Sequence, residues 1–326
     1  MKKQFIFLTI VLFAISCMNE PGKKSNLNVV AIYATPIEES WDGVIHKALQ
    51  SAESEGLITY KSVDNVQSQQ FEKELRTRAE ENYDIIFGDA FAAEDIVRRV
   101  ARDYPKIKFV FGSGLGPSSP NFSVFDNWIH EPAYLAGMIA GKLTKTNIIG
   151  VVGGFAIPEV NRLINAFKVG ALDVNPNIKL KIVFIGAWFD PTAANQAAKV
   201  LISNGADVMF AERDGVINAC AEAGIPVFGN LLDQHNKSPE YVVTSILWNM
   251  EPTINHVIKL VKSNSFVSEN YTEWSMMAKG GARLAPYYNW ETKLDISIKE
   301  MVSAKTEAII SGRFRVPIDE TKPISN

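Results

Sequence analysis

Cysteine is scarce. The 326-residue chain has two, Cys17 and Cys220, which excludes a disulfide-stapled scaffold or a cysteine-rich zinc module. Its four histidines, His46, His130, His235 and His256, stand far apart without HxxxH spacing, so no metal site is expected. Basic charge is not in excess: 33 Lys and Arg against 36 Asp and Glu leave a net charge of −3, too little to neutralise a phosphate backbone, and nucleic acid is not an expected partner. The chain carries no GxSxG, no HExxH and no GxxxxGK followed by Ser or Thr. Gly112–Pro117 (GSGLGP) approaches a dinucleotide fingerprint but fails, because Pro117 breaks the required helix and the sixth position is neither Gly nor Ala. Without nucleophile, metal or phosphate loop, the chain reads as a binding protein with no catalytic residue and no cofactor.

Hydrophobic residues make up 47% of the chain and charged ones 21%, which excludes whole-chain disorder. The length predicts about two domains. At the N-terminus Lys2 and Lys3 precede an almost wholly apolar run, Gln4 to Ile15, too short to span a bilayer. Ala14-Ile15-Ser16-Cys17 follows. This resembles a bacterial lipobox, with residues 1–16 a signal peptide, Cys17 the lipid attachment point and 17–26 a polar tether. Several acyl chains on one residue give stable membrane anchoring. Removing residues 1–16 takes away Lys2 and Lys3 but no acid, so the mature chain is more acidic. Cys220, in VINACAEAG, reads as an inert residue on the apolar face of a helix.

Beyond the tether, strand and helix alternate. Leu27–Ala34 is a continuous apolar run of the kind expected for a strand buried on both faces. Helical spacing over Trp41–Ala52, Gln69–Glu81 and Ala93–Asp103 separates it from strands at Ile58–Ser62, Asp84–Gly88, Lys108–Gly112 and Ser123–Trp128. The pattern begins again with a helix at Pro132–Leu143 and strands at Asn147–Gly153, Lys179–Gly186, Asp207–Ala211, Pro226–Gly229 and Tyr241–Leu247. DIIFGDAF and DVMFAERD echo each other as strand, acidic loop and helix. The expected class is therefore α/β, with two doubly wound parallel-sheet lobes. The remainder is a helix at Glu251–Ser263, an extended Gly-rich stretch at Trp274–Pro286 and a helix at Ile296–Ile310. It is too short for a third sheet and must complete the first two. That forces multiple crossovers, near Asp126–Ile129, Trp248–Glu251 and Ser275–Gly281. One lobe takes 27–127 plus 249–275, the other 128–248 plus 276–326.

Ligands of parallel α/β lobes sit beyond the carboxyl ends of the strands. The residues there are rich in aromatics and carboxylates: Thr35 to Gly43, Asp89-Ala90-Phe91, Asp126-Asn127-Trp128, Gly153 to Phe155, Trp188-Phe189-Asp190, Glu212-Arg213-Asp214 and Asn230 to Asp233. Such a lining suits a flat ring held between aromatics with polar edges bound by carboxylates. Taken singly, each aromatic can equally be core packing, and each acid can simply cap the helix that follows.

The segments ATPIEESWDGVIHKAL, DIIFGDAF, FVFGSGL, FDNWIHEPAYLAGMIAGKLT, IGVVGGF, NAFKVGA, WFDPTAA, Asp233-Gln234 and GGARLAP resemble, in order, the basic membrane protein family, which includes purine-nucleoside receptor lipoproteins. The likeness covers nearly all of Asn28 to Pro286. It implies a type I periplasmic binding protein fold and a lipid-anchored solute receptor. That receptor serves an ABC permease and its ATPase and closes on a purine nucleoside or nucleobase. The ligand-binding residues it implies are Trp41, Asp89, Phe91, Asn127, Trp128, Trp188, Phe189, Glu212 and Asp233. Riboflavin or another flat heterocycle is the alternative ligand, and a surface interaction lipoprotein without a transport ligand the alternative role.

Overall fold

The computed structural model describes residues 26–326 except 92 and 119. Cys17, the signal segment and the tether before residue 26 lie outside the described residues. The first sheet is wholly parallel, in the order β2-β1-β3-β4-β5, with β1 Leu27–Ile32, β2 Ile58–Val63, β3 Ile85–Asp89, β4 Lys108–Gly112 and β5 Phe122–Phe125. Helices α1 Ser40–Ser54, α2 Ser68–Glu80 and α3 Glu94–Asp103 alternate with the strands. Side-chain alternation explains the layering. Val29, Ala31, Ile85, Phe87 and Val110 join the core shared with Ile45 and Leu49 of α1. Val30, Ile32, Ile86, Phe109 and Phe111 face the other way, into the core shared with Leu75 of α2 and Val97 of α3. Both faces of these strands are buried, which is why they read as continuous apolar runs rather than alternating ones.

After β5 the chain leaves this sheet through α4 His130–Leu143 and builds a second one, in the order β11-β10-β9-β8-β6-β7. Its members are β6 Ile148–Gly153, β7 Lys179–Phe184, β8 Val208–Ala211, β9 Val227–Leu231, β10 Val242–Trp248 and β11 Ala282–Leu284, with α5 Pro158–Val174, α6 Pro191–Ser203 and α7 Val216–Ala223 between the strands. Only the β10–β11 pair is antiparallel. The α4 and α5 backbones approach so closely that a Cβ at Gly170 would collide with the carbonyl of Tyr134.

The chain returns to the first unit after β10. Helix α8, Glu251–Lys262, packs on α1, and residues 269–271 extend the first sheet past β5, with Val124 N donating to Glu269 O and Tyr271 N to Val124 O. The stretch expected to be extended from Trp274 is instead two 3-10 turns, Thr272–Ser275 and Met277–Lys279, before β11. The cause is local anchoring. Trp274 stacks on His256 at 4.3 Å between ring centroids. Ser275, fully buried, donates its hydroxyl to Asp126 O at 2.5 Å and accepts from Trp248 Nε1 at 3.1 Å. Helix α9, Ile296–Ile310, then packs against α4. No helix of the described residues is long and apolar enough to cross a membrane.

Candidate functional site

The carboxyl ends of strands from both sheets converge on a cavity of about 60 Å³. The first unit contributes Ala34 and Thr35 after β1, Glu39, Trp41 and Asp42 at the start of α1, Asp89 and Phe91 after β3, and Ser113 after β4. The second contributes Glu159 at the start of α5, Trp188 after β7 and Arg213 after β8.

The α1 N-terminus organises one wall. Glu39 is its cap: Oε2 accepts from Trp41 N at 2.8 Å and Asp42 N at 3.1 Å, satisfying donors that a helix start otherwise leaves open. Asp42 Oδ2 accepts from the Thr35 hydroxyl at 2.5 Å and Thr35 N at 3.3 Å. Burial pushes both carboxyls up, Asp42 well above its ordinary value, and Glu39 and Asp89 push Asp42 the same way. Trp41 lies on Gly112, where a Cβ would overlap the indole. Its ring stacks on Phe125 at 5.8 Å and tilts against Trp248 at 5.2 Å. Its Nε1 is buried without a partner among the described residues.

Two aromatics meet across the cleft. Phe91 presents its edge to Trp188 at 5.2 Å and 85°, and Phe155 packs on Trp188 at 4.8 Å. Asp89 holds the Phe91 loop by accepting from Phe91 N at 2.9 Å, and burial raises its carboxyl to about 7. Glu159 is raised well above its ordinary value by burial and by the charge of Asp126.

Arg213 joins the units. Its Nη1 reaches Glu39 Oε1 at 3.2 Å and Trp188 O at 3.0 Å, and Nη2 reaches Glu212 Oε1 at 2.7 Å. Burial alone would lower its basicity, but the charges of Glu212 and Glu39 reverse that and raise it. Ser40 Oγ adds a second tie, donating to Asp214 Oδ2 at 3.0 Å.

Of the residues read from the sequence, the structure brings Trp41, Asp89, Phe91 and Trp188 together at the cavity. The others lie elsewhere. Glu212 sits behind the wall, buried, holding Arg213 and accepting from Gly154 N at 2.9 Å. Phe189, next to Trp188, is half-exposed and outside the lining. Asn127 is buried at the first crossing, and Trp128 there stacks under the Arg162 guanidinium at 3.9 Å. Asp233 lies beyond β9, accepting from Tyr288 Oη at 2.6 Å, beside a separate recess shared with Trp248 and Arg283. Thr35, Glu39, Asp42, Ser113, Glu159 and Arg213 line the cavity without having been singled out. Thr35, Glu39, Asp42 and Arg213 stand in the strand-end segments already marked by the sequence, and that was their only signal. Cys220 is fully buried on α7, its thiol pushed up to about 12 by burial.

A family model described as "Bmp: ABC transporter substrate-binding protein PnrA-like" matches residues 28–314. A Haloferax volcanii protein, provisionally named an ABC transporter glucose-binding protein, is 29% identical over 300 residues, 91% of this chain and 75% of that protein. A purine-binding protein of Brucella abortus is 29% identical over 245 residues, 74% of this chain and 68% of that protein. An ABC transporter solute-binding protein from Aeropyrum pernix has the same fold, with a TM-score of 0.76 at 19% identity, covering 90% of this chain and 94% of that one.

Proposed function

Because the chain belongs to the Bmp family of PnrA-like ABC transporter substrate-binding proteins, we propose that its cavity receives a purine nucleoside or free purine base and delivers it to a membrane permease and ATPase. The observation that carries this is the Phe91–Trp188 contact. Two rings from opposite units meet at a cavity edged by Asp42, Asp89 and Glu159, a setting for a flat ring with polar edges. The Brucella purine-binding relative supports the same ligand class. The relatives reported above are named for binding, not turnover.

A cavity of about 60 Å³ is far below the roughly 300–1,000 Å³ of ordinary ligand pockets. The arrangement is therefore a closed one, and entry requires Phe91 and Trp188 to part as the lobes, 27–127 with 249–275 and 128–248 with 276–326, turn about the crossings. A ligand that binds the parted arrangement better shifts the population toward it.

Thermal melting with adenine, adenosine, guanosine, riboflavin and glucose tests the reading. A purine at 100 times its dissociation constant adds about 2.7 kcal/mol of stability. Response to glucose alone favours the sugar named for the Haloferax relative, riboflavin alone the larger ring, and silence from every purine overturns the proposal. The receptor also fits a lipid anchor at Cys17. Full-length protein carrying Cys17→Ser should lose labelled palmitate and wash from membranes, and retained label defeats the anchor.

A further inference from the structure

The guanidinium of Arg162, on α5, is only 2% exposed and has two carboxylate partners from distant parts of the chain. Nη2 donates to Asp126 Oδ2, just past β5 where the chain first crosses, and Nη1 donates to Glu320 Oε1 at 2.9 Å. The guanidinium lies over the Trp128 ring at 3.9 Å. Glu159, one turn back on α5, is no substitute partner, because burial holds its carboxyl well above its ordinary value, toward the uncharged form.

The two partners are fastened to different lobes. Glu320 goes with Arg162. Residues 319–326 lie along α5 and the outer strand β7. Asn161 Nδ2 donates to Glu320 O at 3.0 Å, and Asn165 Nδ2 to Asp319 O at 2.9 Å and Thr321 O at 2.8 Å. Ile182 N donates to Ser325 Oγ at 2.9 Å and Leu180 N to Asn326 Oδ1 at 2.8 Å. Asp126 goes with the other lobe. It follows β5, which pairs with β4, and its carbonyl accepts from the Ser275 hydroxyl. A buried guanidinium stripped of every partner carries a heavy penalty, so the acid that stays with Arg162 decides how much the parting of the lobes costs.

We propose that residues 319–326 form a strap that eases opening: Glu320 keeps the Arg162 charge paired while Asp126 moves off with the other lobe. Asp126 favours the closed arrangement, and Glu320 lowers the cost of leaving it. The two acids therefore act with opposite signs on one equilibrium. The inference rests on the parting of the lobes proposed above and not on which ligand enters.

Thiol labelling of the full chain tests this. Ser40, buried on one lobe, meets Asp214 of the other at 3.0 Å. In a Cys17→Ser background, the thiol introduced by Ser40→Cys reacts with a maleimide only when the seam opens. Cys220, fully buried on α7, reports unfolding in the same sample. Glu320→Gln should slow labelling at position 40 by about tenfold or more, and Asp126→Asn should speed it by a similar factor. Lost stability alone cannot give the first result, because destabilisation speeds labelling at both thiols. An unchanged or faster rate with Glu320→Gln overturns the strap, as does a slower one with Asp126→Asn. Glu320→Gln decides alone if the Asp126 variant does not fold. If position 40 labels no faster than Cys220 before either acid is changed, the lobes part only on unfolding, and the receptor reading falls with the strap.

Discussion

A carboxyl held between two lobes carries a pH signature, and Asp89 shows its sign. Burial raises it from the ordinary 3.8 to about 7 in the closed form. Below pH 4 the carboxyl is protonated whether the chain is folded or unfolded, and it contributes nothing. Between about pH 4 and 7 the unfolded chain gives up this proton while the closed form keeps it, so stability falls as pH rises through that window. Asp42 and Glu159, both raised well above their ordinary values by burial, push the same way. Thermal melts at stepped pH should show Asp89→Asn losing less stability than the parent between pH 5 and 7.5. Equal slopes would mean that Asp89 is hydrated in solution. At this scale Asp89, Phe91, Trp41 and Trp188 could be picked out, because each follows a strand's carboxyl end, where ligands of parallel α/β lobes sit, and each stands in a motif of the family. Glu39 could not. It is a helix cap by local rules, and its second role exists only because Arg213 arrives from another part of the chain.

Strands and helices were readable from periodicity because the central strands are buried on both faces. Bounds such as Ile58–Val63 and Ile296–Ile310 sit within a residue of the hydrophobic pattern. Two stretches depart: the strand expected to run on to Trp128 ends at Phe125, and over Trp274–Lys279 composition suggests extension while the chain coils. Ser275 explains the second. Its hydroxyl ties Asp126 at one crossing, 149 positions away, and Trp248 at another, 27 positions away, to its own, contacts that no local pattern encodes. Ser275→Ala leaves a buried indole N–H and a carbonyl unpaired, and urea unfolding should register a loss of about 1–3 kcal/mol. A loss below 0.5 kcal/mol would show that water replaces the hydroxyl.

As a whole molecule the chain is two sheets bound together at their shared crossings, with the cavity at the seam. The echo between DIIFGDAF and DVMFAERD acquires a meaning there. Each strand delivers its following loop to opposite walls of the same cavity, Asp89 and Phe91 on one side and Arg213 on the other. By itself the sequence determined the α/β class, the doubling of the pattern, the need for repeated crossing and the family, because hydrophobic period and motif order are properties of the chain read in line. Only the tertiary structure decided which strand-end residues share the cavity and left Phe189, Glu212 and Asp233 outside its lining. It also decided that the cavity's one arginine is consumed by Glu212 and Glu39. The reason is physical: burial, pairing and the cost of an unmet charge depend on what comes across the cleft, and distance along the chain does not encode that.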